Sequence, residues 1–141
     1  MARTLLPFLI NELIVSVMLE TILIIDDETD MADTCARVLG GLGFKCLVVY
    51  DSAKALALID SERPALIISD ITMPTKDGFE IARYVRQKSP EIPVVLMTAY
   101  HTPDIARNAQ VAGAKAYLRK PFPNAELILT VKTLLGRDGK D

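Results

Sequence analysis

The sequence predicts an α/β fold built on a doubly wound parallel sheet. Three observations carry this. Five short apolar runs recur along the chain, each continuous rather than alternating, as suits strands covered on both faces. Segments with helical spacing separate the runs. The acidic and hydroxyl residues that break the apolar pattern gather just after the runs, where open α/β sheets place their sites.

The first run is Ile22-Leu23-Ile24-Ile25. A helical pattern follows, with Met31, Thr34, Cys35, Val38 and Leu42 on one face, and Gly43 is placed to end it as a left-handed cap. The second run is Leu47-Val48-Val49. Asp51 or Ser52 can cap the next helix, which carries Ala55, Leu56 and Ile59 and stops before Pro64. After the third run, Leu66-Ile67-Ile68, a helix is predicted from Gly78 to Lys88, with Phe79, Ala82, Tyr84 and Val85 as its apolar members. Val94-Val95-Leu96-Met97 is the fourth run. Thr102-Pro103 then opens a helix with proline at its first position, and Gly113 closes it. The fifth run, Ala116-Tyr117-Leu118, precedes a helix from about Asn124 to Leu135 that turns Leu127, Ile128, Val131 and Leu135 inward. Right-handed crossovers limit how such units connect.

The bulk properties narrow the function. A chain of 141 residues fits one domain, and half of its residues are hydrophobic. The formal charge is −2 with no strongly basic stripe, which argues against direct nucleic-acid binding. Cys35 and Cys46 lack metal-ligand spacing and read as a core residue and a reduced strand residue, so a reducing, cytoplasmic compartment is expected. The single histidine, His101, excludes a multi-histidine metal site and reads as an exposed loop residue.

Asp26-Asp27-Glu28 follows the first run, Asp70 the third, Thr98 the fourth and Lys120-Pro121 the fifth. Three carboxylates converging from adjacent strands repel one another in a partly dry cleft. A hard divalent cation removes that repulsion, and Mg²⁺ suits all-oxygen ligands completed by a phosphate. Lys120 adds a positive charge and Thr98 a hydroxyl, so the set suits a phosphoryl group with its metal. Helix capping explains one strand-end acid, but not this combination.

The segments ILIIDDE, ISDITMPTKDGFE, VVLMTAY and AYLRKPF resemble, in order and spacing, the signature segments of bacterial response-regulator receiver domains. The resemblance covers about Thr21 to Leu135. It implies a flavodoxin-like fold with a five-stranded parallel sheet in order 2-1-3-4-5. It also implies roles. Asp70 resembles the phosphoacceptor. Asp26 and Asp27 resemble the acidic pair, with Asp27 a direct Mg²⁺ ligand and Asp26 acting partly through water, and the Thr72 backbone carbonyl is a further ligand. Thr98 and Lys120 match the hydroxyl and ammonium that meet the phosphoryl group. Tyr117 matches the aromatic switch position, Pro121 the proline after a cis peptide bond, and Ala99 a small residue that leaves room for the donor. Thr72 and Tyr100 match two variable positions that tune phosphoryl lifetime. The implied donor is a histidine kinase or histidine phosphotransfer protein. The implied readout is the face made by the fourth helix, fifth strand and fifth helix, where Asp104, Arg107, Asn108 and Val111 are candidates for exposure. The TAY tripeptide resembles regulators that control AAA+ transcriptional activators.

Rival readings fit less well. A haloacid-dehalogenase-type phosphatase needs a second Asp at position 72, where Thr72 stands, so turnover of outside phosphoesters is not expected. A flavodoxin-like carrier needs a hydroxyl-rich phosphate loop where Asp26, Asp27 and Glu28 stand. An interaction module of the same fold that works without phosphorylation is the remaining alternative. Residues 1–19 form an apolar leader outside the 20–135 receiver unit. Leu6, Leu9, Ile10, Leu13, Ile14 and Val17 make a helical stripe, while Pro7, Asn11 and Glu12 argue against a membrane span. Either this leader docks on a second copy, giving a homodimer, or the native start lies near Met18. Residues 136–141 read as a polar linker or tail, compatible with an output domain absent from this chain.

Overall fold

The computed structural model describes residues 20–136. The leader, with its expected helix and dimer contact, and the tail beyond Gly136 lie outside the described residues. The elements run β1 (Thr21–Ile25), α1 (Thr29–Gly40), β2 (Lys45–Val49), a 3₁₀ turn (Ser52–Lys54), α2 (Ala55–Glu62), β3 (Leu66–Asp70), α3 (Gly78–Lys88), β4 (Val94–Thr98), α4 (Pro103–Ala112), β5 (Ala116–Arg119) and α5 (Asn124–Leu134). The strands form one parallel sheet in the order β2-β1-β3-β4-β5.

Continuous apolar strands arise because both faces of the sheet are covered. Leu23, Ile25 and Ile67 face one core with Ala55 and Ile59 of α2, Ile81 and Val85 of α3, and Ala109 and Ala112 of α4. Ile22, Ile24, Leu66 and Ile68 face the other with Ala32, Cys35 and Leu39 of α1 and Leu127 and Val131 of α5. Alternate residues of one strand thus enter opposite cores, and Ile22 to Ile25 are all fully buried. Each such aliphatic side chain contributes roughly 1.5–3 kcal/mol on burial. The central strands are therefore rigid supports for whatever follows them.

The predicted helices form with adjusted edges. Helix α1 ends at Gly40, and Gly43 takes its left-handed φ of 99° in the following turn rather than at the helix end. The buried face of α1 is Ala32, Cys35 and Leu39, and Leu42, beyond the helix, is exposed. Asp51 supplies the cap before α2 by accepting from Ala53 N, while Ser52 turns elsewhere. In α3 the buried residues include Ile81, whereas Phe79 and Tyr84 are only partly covered. Thr102 caps α4 through Ile105 N with Pro103 in the first turn, and Gly113 closes it at φ 101°. Strands β3 and β4 each continue past their apolar runs to include Asp70 and Thr98.

All five strands point the same way, so their carboxyl ends share one edge. The chain leaves β1 toward β2 on one side and returns to β3 on the other, which opens a crevice above β1 and β3. Ile25 pairs with Ser69, so Asp26 and Asp70, the next residue on each strand, leave the sheet side by side.

Candidate phosphoacceptor site

Asp26 is fully buried at the end of β1, and Asp70 is 8% exposed as the last residue of β3. Asp27 is exposed one residue further along the first loop. Carboxylate oxygens of Asp26, Asp27 and Asp70 all lie within 4.8 Å of one another. Lys120, after β5, reaches across them. Its Nζ donates to Asp26 Oδ2 at 2.8 Å and pairs with Asp70 Oδ1 at 3.4 Å and Glu28 Oε1 at 3.5 Å. An open cavity of about 400 Å³ lies over this group, lined by Asp27, Glu28, Asp70, Thr72, Ala99, Tyr100 and Lys120.

The electrostatics follow from burial. The Asp70 carboxyl is pushed up to about 6 by burial and by the charge of Asp26, against the pull of Lys120. Burial alone lowers the Lys120 ammonium, but its bond to Asp26 and the charge of Asp70 outweigh this and raise it. One ammonium thus serves three acids, and the site is short of positive charge. A hard divalent cation such as Mg²⁺ fits both the all-oxygen donor set and that deficit.

The surrounding backbone is close-packed. Asp26 Oδ1 accepts from Glu28 N at 3.0 Å, which fixes the first acidic loop. Asp77 caps α3 by accepting from Glu80 N at 2.9 Å. The next residue, Gly78, donates its N–H to Ile71 O at 2.8 Å. A Cβ at position 78 would stand 2.5 Å from Asp70 O, so only glycine lets α3 start against β3. Thr98, buried at the end of β4, accepts from Tyr100 N at 3.0 Å. Tyr100 is 69% exposed at the mouth of the cavity. The Lys120–Pro121 peptide bond is cis.

Tyr117 lies apart from the cavity. Its hydroxyl stands 3.0 Å from Nδ1 of the exposed His101, with the ring centroids 5.5 Å apart. Asp104, Arg107, Asn108 and Val111 of α4 are exposed, as expected, and Arg107 pairs with Asp104 at 3.1 Å. The sequence-predicted residues around the acids therefore come together, whereas Tyr117 faces the loop after β4. Glu28's reach to Lys120 and the His101 contact have no signal in the motifs, because both depend on how exposed loop side chains settle. Ser52 had a misleading one, since it reads as a helix cap. No described helix is long and apolar enough to cross a membrane.

Comparison with known proteins agrees with this fold. A family model described as "Response regulator receiver domain" matches residues 22–132. The DNA-binding transcriptional regulator NtrC of Escherichia coli is 34% identical over 109 residues, covering 77% of this chain and 23% of that protein. The transcriptional regulatory protein PrrA of Mycobacterium tuberculosis is 36% identical over 118 residues, covering 84% of this chain and 51% of the relative. The chain thus spans about a quarter and about half of these two proteins. Among solved structures, a CheY-like receiver domain protein from Methanospirillum hungatei superimposes with a TM-score of 0.80 at 28% identity, covering 84% of this chain and 94% of the other. The BeF3-activated DrrB receiver domain gives 0.79 at 28% identity, covering 85% and 100%.

Proposed function

This chain belongs to the response regulator receiver family of two-component systems, and from that premise we propose that it takes a phosphoryl group onto Asp70 from a histidine kinase or histidine phosphotransfer protein. The observation that carries the proposal is the convergence of the Asp26, Asp27 and Asp70 carboxylates under one lysine, beneath an open cavity. A module that only bound partners would gain nothing from so costly a cluster of buried charge.

A carboxylate oxygen of Asp70 attacks the phosphorus of the donor's phosphoimidazole. The new P–O bond forms as the P–N bond breaks, and the freed imidazole takes a proton from solvent. With its carboxyl near 6, Asp70 is mostly ionised at neutral pH and competent as a nucleophile. Asp27, Asp70, the Thr72 carbonyl and, through water, Asp26 are the residues that would hold Mg²⁺. Bound there, Mg²⁺ supplies positive charge that offsets the carboxylates and the incoming phosphoryl oxygens. Lys120 follows the charge from Asp70 onto the phosphoryl group. Thr98 exchanges its bond from Tyr100 N for one to a phosphoryl oxygen. Ala99 leaves the mouth open to a donor, and Tyr100 restricts in-line water, which sets the phosphoryl lifetime.

Movement of Thr98 vacates space behind β4, and Tyr117 turns inward from His101. The face of α4, β5 and α5 then presents a changed surface to its partner. The module acts on itself rather than turning over outside substrates. We assign it to residues 20–135, with its output carried by another domain or protein. The free thiols of Cys35 and Cys46 suit a cytoplasmic setting. The test is incubation with acetyl phosphate and Mg²⁺, read by intact mass. A gain of one phosphoryl group is expected, lost in Asp70→Asn and in EDTA. Undiminished labelling of the Asn variant overturns the assignment.

A further inference from the structure

The loop between β3 and α3 carries Thr72 and contains a sharp reversal. Lys76 N donates to Pro74 O at 2.9 Å, a bond that spans the single residue Thr75. Thr75 has a φ of 72°, so the segment is a γ-turn with a β-branched residue in the left-handed region. That conformation is strained for such a side chain and persists only when neighbours enforce it. A strained loop would be a poor support for a metal ligand unless something clamps it.

Ser52 is that clamp. It lies in the 3₁₀ turn after β2, is 2% exposed, and is not needed as a cap, since Asp51 caps that turn. Its hydroxyl donates to Pro74 O at 2.6 Å and accepts from Lys76 N at 3.1 Å. Both atoms that close the γ-turn therefore also bond to one buried oxygen from a different connection of the sheet. Within the same loop Met73 is buried and Thr72 lines the cavity.

We propose that Ser52 is a positioning residue for the metal site, fixing the strained Thr75 turn and so the place of the Thr72 carbonyl beside Asp70. This rests on the reading of the site as a Mg²⁺-dependent phosphoacceptor. It adds a residue from outside the strand-end acids, on a connection that belongs to β2. Removing the hydroxyl leaves Pro74 O and Lys76 N with only each other, and the strained residue can relax toward a negative φ. The loop then samples other arrangements, and a ligand set that includes its backbone loses affinity.

The test uses the full chain with Ser52→Ala and Ser52→Thr, the second keeping the hydroxyl. Mg²⁺ affinity is read by titration calorimetry, and exchange of the Lys76 amide is read by NMR without metal. Ser52→Ala should weaken Mg²⁺ binding roughly tenfold and speed exchange at Lys76, with the amide spectrum of the sheet preserved. Ser52→Thr should recover most of the affinity. Equal affinity in Ser52→Ala and the parent chain overturns the clamp. So does weakened affinity accompanied by general loss of dispersion in the spectrum, because a stability defect then explains it. Absence of Mg²⁺ binding by the parent chain is a different result, which overturns the reading of the site and this inference with it.

Discussion

The Tyr117 hydroxyl and His101 Nδ1 lie 3.0 Å apart, with the two rings tilted by 50°. The contact joins β5 to the loop after β4, the loop that starts from Thr98 and lines the cavity through Ala99 and Tyr100. It therefore links the proposed switch residue to the segment that phosphorylation is expected to move.

Loss of this contact should favour the inward state of Tyr117. One hydrogen bond contributes about 1 kcal/mol, so His101→Ala should raise the switched population up to roughly fivefold. Amide shifts of β5 and α4 in the unphosphorylated variant should move partway toward those of the parent chain with beryllofluoride and Mg²⁺. Shifts in the opposite direction, or none beyond the immediate neighbours of His101, would show that the contact does not bias the switch.

The raised Asp70 carboxyl makes a pH prediction. The group binds its proton near 6 in the folded protein and near the ordinary 3.8 when unfolded. Between those values the folded chain holds a proton that the unfolded chain has lost. The associated stability is complete below about 3.8 and is lost as pH rises through 6. At pH 7.5 without metal, ionised Asp70 therefore costs about 3 kcal/mol. Asp70→Asn should be more stable than the parent by about that amount at pH 7.5, and the difference should shrink toward pH 4. Paired urea melts in EDTA check this, and a difference independent of pH would contradict it.

Lys120 carries the opposite risk. Asp26 is fully buried, and the Lys120 ammonium at 2.8 Å is its ionic partner among the described residues. Breaking such a pair by removing one member costs roughly 3–5 kcal/mol, because the other charge stays buried. Lys120→Met should therefore lower stability by about that much in EDTA at neutral pH. Saturating Mg²⁺ should restore part of the loss by supplying charge to the same acids. A Lys120→Met chain whose melting midpoint matches the parent in EDTA would show that Asp26 does not depend on the lysine.

Regular elements were legible because their signals are local. Ile22 to Ile25 sit in a parallel sheet with both faces covered, and a continuous apolar run says so. Thr102, Pro103 and Gly113 carry the start and end of α4 in their own chemistry. The meeting of Asp26, Asp27 and Asp70 was legible because parallel strands must end on one edge. What was missed depends on tertiary fit. Cys35 of α1 is buried as read, with Met31 and Val38 packed against the same core, but Ala32 and Leu39 were missed because the face was extended to Leu42, past a helix end that Gly40-Gly41 marks weakly. Ser52 looked like a cap because capping serines and this one share a position in sequence, and only the folded loop tells them apart. His101 read as exposed and is exposed, but its partner comes from a strand sixteen positions away.

Gly78 gives a steric prediction at the same site. Its neighbours are backbone atoms, with Asp70 O at 2.5 Å, Ile71 Cα at 2.9 Å and Asp70 C at 3.1 Å from where a Cβ would stand. Backbone in a fully buried strand cannot yield as a flexible side-chain tip can. Gly78→Ala must therefore push the start of α3 away from β3 and strain or break the Gly78 N to Ile71 O bond. Overpacking of this kind costs roughly 1–3 kcal/mol. Because Ile71 stands between Asp70 and Thr72, the displacement should also weaken Mg²⁺ binding. Gly40→Ala is the control, since nothing lies within 4 Å of the added methyl and the residue is helical. It should be neutral or slightly stabilising, by up to about 1 kcal/mol. Urea melts and Mg²⁺ titrations of both variants decide the matter. If Gly78→Ala matches Gly40→Ala in both, α3 does not depend on glycine to reach β3.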